Sequence, residues 1–83
     1  MSFIVDENME QLFEELIHLQ HTKLLKLARR LVPHATADDI LQPNDFPELE
    51  QHPVFRYEEG VWAGLLEARA AYLRWKQDQI KKS

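Results

Sequence analysis

The chain contains no cysteine, which removes disulfide staples, thiolate metal ligands and thiol nucleophiles together. Stability has to come from packing. Its only serines, Ser2 and Ser83, lie at the termini, while Thr22 and Thr36 are accounted for by a helical position and a helix cap. No nucleophilic triad can be assembled from these residues. Glycine is confined to Gly60 and Gly64; a G-x-x-x-G inside a helix leaves no free backbone N–H groups to cradle a phosphate. No apolar run reaches the roughly 18–20 residues of a membrane helix. The opening Met1-Ser2-Phe3-Ile4-Val5 turns acidic at Asp6 with no basic stretch before it, and the expectation is a soluble, cytoplasmic protein.

What is present is the composition of a folded domain, with 45% hydrophobic and 29% charged residues. A chain of 83 residues forms one domain, 1–83, and at that size folding buries only about 60% of the surface of the extended chain. The core is therefore marginal or shared. The net charge of −4 is uneven: Val32 to Pro53 carries Asp38, Asp39, Asp45, Glu48 and Glu50 with no Lys or Arg. Such a balance disfavours nucleic acid and anionic membranes as partners.

Between Glu7 and Leu31, apolar residues recur at Met9, Leu12, Phe13, Leu16, Ile17, Leu24, Leu27, Ala28 and Leu31, a helical spacing. Asn8 with Gln11, or Asp6, is the expected N-terminal cap, and Pro33 ends the run. A second long helix is expected after Pro53, from Val54 to about Ile80. It is read as continuous through Gly60 and Gly64, because Gly60, Gly64, Ala68 and Ala71 form a stripe of small residues that permits close approach of another backbone.

The connection, 33–53, is expected to be ordered. Thr36 starts one short turn through Ile40 and Leu41, which Pro43 stops, and Asp45 starts another over Phe46 to Gln51. Leu41, Phe46 and Leu49 are its expected anchors.

The fold expected is thus all-α: two long amphipathic helices packed as a hairpin, with short helical turns between them. Projection at about 100° per residue gives the first helix one broad apolar arc with Gln20 near its middle and Leu19 and Leu25 outside. The last helix has two stripes, Val54/Val61/Leu65/Ala68/Tyr72/Trp75 and Phe55/Trp62/Leu66/Leu73/Ile80, with Glu58, Arg69 and Lys76 between them. One hairpin can cover only part of this surface. Phe3-Ile4-Val5 is expected to cover some of the rest, and pairing of two hairpins into a four-helix bundle would bury both faces.

Candidate chemistry is sparse. Glu15 and His18 have the E-x-x-H spacing of di-iron carboxylate bundles, but they project away from the apolar arc. His18 and His21 are three apart without cysteine or a placed carboxylate to complete a metal site. The basic clusters Lys23, Lys26, Arg29, Arg30 and Arg69, Arg74, Lys76, Lys81, Lys82 sit where helix dipoles favour cations. The expected function is a non-catalytic protein–protein interaction module, a homodimer without cofactor, metal or catalytic residues. Its contact residues are expected at Trp62, Gly64, Leu66, Ala68, Leu73, Trp75 and Phe46. The alternatives are a small metal-binding bundle using Glu15, His18 and His21, or a nucleic-acid accessory protein.

Overall fold

Two long periodic segments separated by a proline-spaced connection give an antiparallel helical hairpin. The computed structural model describes residues 7–42 and 45–82, and all regular structure among them is helical. Helix α1 spans Glu7–Leu31, α2 Ala37–Leu41, α3 Pro47–Glu50 and α4 Pro53–Lys82. At about 1.5 Å per residue the longest helix sets the molecule's dimensions, 50 × 19 × 18 Å.

The helix ends follow local chemistry. α1 stops at Leu31, before Pro33, and the exit is closed by Val32 N–H donating to the Ala28 carbonyl (2.7 Å) and Arg29 Nε donating to the Ala35 carbonyl (3.1 Å). α1 begins at Glu7, so Asn8 lies inside the helix and does not cap it; Asp6 and Phe3-Ile4-Val5 fall outside the described residues, as does Pro43. Thr36 precedes α2 as expected, and Asp39 returns the interaction: its Oδ2 accepts from the Thr36 N–H at 2.8 Å and the Thr36 hydroxyl at 3.2 Å. The cap of α3 is Phe46, with Pro47 at the first helical position, so Asp45 lies one residue outside the cap it was expected to form. Pro47 supplies a preset φ and lacks the N–H a cap would have to satisfy. α4 starts on His52, whose Nδ1 accepts from the Phe55 N–H at 3.4 Å.

The core sits at the connection end. Leu24, Ala28, Val32, Ala35, Ile40, Leu49 and Phe55 are buried, with Leu25, Leu27, Leu31, Phe46 and Trp62 packed against them. Two expectations are corrected here. Leu41 is exposed and Ile40 takes its place as the anchor of α2; Leu25, projected outside the apolar arc, packs on the core because the connection folds back over that side of α1. The radius of gyration, 16.3 Å, exceeds the roughly 12 Å of a compact chain of this length. Beyond the connection, the described residues provide no third layer over the hairpin.

α4 runs unbroken through Gly60 and Gly64, and a Cβ built on either meets nothing within 4 Å. Gly60 faces away from α1, so Gly60→Ala is expected to stabilise the fold by up to about 1 kcal/mol through helix propensity alone. Urea unfolding followed by circular dichroism checks this. An unchanged or lowered midpoint would mean that something covers this side of α4.

Candidate interaction surface

The line along which the helices meet differs from the one that hydrophobicity alone marks out. On α4, Phe55, Glu58, Trp62, Leu65, Arg69, Tyr72 and Lys76 are all buried or half-buried, in alternating steps of three and four that keep one face toward a partner helix. Glu58, Arg69 and Lys76, read from sequence as a row between two stripes, are the row that faces α1. Each has its partner there. Lys76 pairs with Glu10, Arg69 with Glu14 at 3.6 Å, and Glu58 with Lys23 at 2.8 Å. Phe13 packs on Tyr72 and His21 on Trp62, each with ring centroids 5.6 Å apart, which fixes the antiparallel register along the hairpin.

Glu58 is the buried polar centre of this seam. Gln20 Nε2 donates to both its backbone carbonyl and its Oε1, at 2.9 Å each, while Lys23 holds Oε2. This explains a glutamine in the middle of an apolar arc. The Lys23 and Gln20 hydrogen bonds hold the Glu58 carboxyl below its ordinary value of 4.5, against the opposing effect of burial. A lowered folded-state pKa contributes stability that is present above the unfolded value and lost as pH falls through the folded one. Glu58→Gln is therefore expected to be less stable than wild type at pH 7, with the difference closing as pH drops below 4.5. Denaturant midpoints of both proteins across that range check it; a gap that persists at low pH would place the effect in packing instead.

The seam divides the remaining surface of the hairpin into two flanks. One carries a groove of about 400 Å³ lined by Glu14, Ile17, His18, His21, Trp62, Leu66 and Arg69. Its apolar floor is Ile17, Trp62 and Leu66, and the Trp62 Nε1 and Arg69 Nε atoms are covered without an acceptor. His18 and Glu15 are exposed on α1, and among the described residues no group of three His, Asp or Glu lies close enough to hold a metal ion.

A depression walled by Lys23, Leu27 and Arg30 of α1 and by Val54 and Glu58 of α4 marks the connection end of the opposite flank, which identifies the helix sides that share it. At about 100° per residue, that side of α1 presents Met9, Leu12, Leu16 and Leu19, and that side of α4 presents Val54, Tyr57, Val61, Gly64, Ala68 and Trp75. No charged residue falls in this sector between Met9 and Leu19 or between Val54 and Gln79. Leu12, Leu16 and Leu19 are 48%, 39% and 64% exposed, and Val54 and Tyr57 52% and 70%.

No protein-family model, curated protein or solved structure matches this chain. The surface therefore has to be read from its own chemistry.

The expected contact residues do not form one patch. Gly64, Ala68 and Trp75 share the charge-free face; Trp62 and Leu66 line the groove on the other side of the seam, and half-buried Leu73 projects toward that side. Phe46 is half-buried and packs against the core at the connection. Sequence reasoning missed Leu12 and Leu16 as surface residues, since both fell within the arc assigned to the core, whereas Leu19 was already projected outside it. The signal was available in their spacing, a stripe about 100° from Phe13, Ile17 and Leu24. Among the described residues no helix is long and apolar enough to cross a membrane.

Proposed function

We propose that this chain is a non-catalytic interaction module whose working surface is the charge-free face, covered in use by helices of another polypeptide chain. The carrying observation is the exposure of Leu12, Leu16 and Leu19 on a stretch of α1 free of charged side chains, with Val54 and Tyr57 exposed on the same side of α4, where Val54 adjoins Lys23, Lys26 and Arg30. Exposed apolar side chains gathered on one side of a hairpin mark an interaction surface. A pair of hairpins forming a four-helix bundle is the simplest way to cover it.

Sedimentation equilibrium over a range of concentrations, together with affinity capture of wild type and Leu12→Glu, tests this reading. The expected result is a mass above the 9.9 kDa of one chain, or a captured protein that Leu12→Glu no longer retains. A single-chain mass at every concentration, with the same captured set for both proteins, would overturn it.

A further inference from the structure

We propose that the cleft between the C-terminal part of α1 and the start of α4 is a binding site for a phosphate monoester, with Lys26 and Arg30 as its counter-charges. The proposal goes beyond the reading of the hairpin as an interaction module and does not depend on what covers its apolar side.

The cleft has a volume of about 170 Å³ and is lined by Lys23, Lys26, Leu27 and Arg30 of α1 and by Val54 and Glu58 of α4. Three cations thus meet one carboxylate, in a chain whose net charge is −4. That carboxylate is already engaged. Lys23 Nζ lies 2.8 Å from Glu58 Oε2, and Gln20 Nε2 donates to Oε1, so Lys23 and Glu58 cancel as a pair. Neither Lys26 nor Arg30 has a carboxylate partner among the described residues. The cleft keeps two uncompensated positive charges.

Lys26 and Arg30 are four residues apart and so stand together on one side of α1, where like charges oppose the helix. The helix dipole accounts for only one of them. It acts within the last turn, which holds Arg29 and Arg30, and Lys26 lies before that turn. α4 supplies no anion either, since its first turn carries no acidic residue.

The charge to be balanced and the lining of the cleft select the ligand. A phosphate monoester carries about −1.5 to −2 charges at neutral pH, enough to balance Lys26 and Arg30 together, whereas a single carboxylate would leave one of them unmet. The planar fork of Arg30 can donate to two phosphate oxygens at once. Leu27 and Val54 give the carbon side of the ester an apolar wall.

Nuclear magnetic resonance titration of the full chain with phenyl phosphate, inorganic phosphate and a phosphoserine peptide tests the site, with ionic strength held constant by chloride. Saturable shifts are expected in the backbone amides of residues 23–31 and 54–58. Lys26 and Arg30 are exposed, so Lys26→Gln with Arg30→Gln is expected to keep the helical circular dichroism while weakening binding about tenfold or more. Lys81→Gln with Lys82→Gln removes the same charge from the far end of α4 and is expected to change the affinity by less than about twofold, because salt screens charges at that distance. Tighter binding of the peptide than of phenyl phosphate would assign the ester to a phosphorylated protein, and the reverse order to a small molecule; both outcomes support the site. Shifts that rise linearly without saturating, or equal weakening by the two double variants, would overturn it.

Discussion

Leu16→Glu is expected to weaken assembly at least about 100-fold while leaving the hairpin folded. Leu16 lies on the charge-free face and is 39% exposed, so in a single chain the substituted carboxylate can reach water at little cost. In an assembly that covers this face the carboxylate would be removed from water. An uncompensated charge removed from water costs several kcal/mol, and each 1.4 kcal/mol is tenfold in a dissociation constant. A weakening of at least about 100-fold is expected. Sedimentation velocity of wild type and variant at matched concentrations measures it, with far-ultraviolet circular dichroism to establish that the variant is folded. Equal masses for the two folded proteins would show that Leu16 is no part of the contact.

Phe55→Ala should have the largest effect on folding. Phe55 is fully buried where α4 meets the core formed by Leu24, Ala28, Ile40 and Leu49. Its backbone N–H also donates to His52 Nδ1, so the side chain fixes the first turn of α4 against the connection. Truncation of a buried phenylalanine costs about 3–5 kcal/mol through lost transfer energy and the cavity left behind. Total stability is roughly 4–12 kcal/mol for a domain of this size, so the variant is expected to lose from about a quarter to all of it. Urea unfolding monitored by circular dichroism gives the value. A loss below about 1 kcal/mol would mean that the connection does not close over α1 and α4 as described.

The parts of this fold that were legible in the sequence are those governed by local chemistry. Pro33 and Pro53 bracket the long helices, and Thr36 with Asp39 marks α2, because proline geometry and capping act within a few residues. The errors arose where local signals competed. Asp45 carries a good capping side chain, yet Pro47 sets the start of α3 one residue later, on Phe46. Leu41 and Ile40 are adjacent on one turn, and only the direction in which the connection folds back decides which is buried. The seam was hidden for a different reason. A projection weighted by hydrophobicity assigns Glu58, Arg69 and Lys76 to a gap between stripes, whereas their partners Lys23, Glu14 and Glu10 stand on the other helix. Pairing across a hairpin is a property of register, which neither helix carries alone. The surface candidates were divided by the same cause: Gly64 and Trp62 belong to faces that only the position of α1 separates.

The hydrogen bonds from Gln20 to Glu58 have a consequence for how the hairpin is measured out along its length. A seam of apolar residues alone could slide by seven residues and find equivalent neighbours, since the pattern repeats at that interval. Moving α1 by one such step in either direction would carry Gln20 about 10 Å along the axis and set Phe13 or Leu27 in its place, leaving its two hydrogen bonds to Glu58 unmade. The slipped forms thus forfeit the buried Gln20–Glu58 contact that the correct one satisfies. Gln20 and Glu58 act as a vernier mark, selecting one alignment among several that hydrophobic packing would accept.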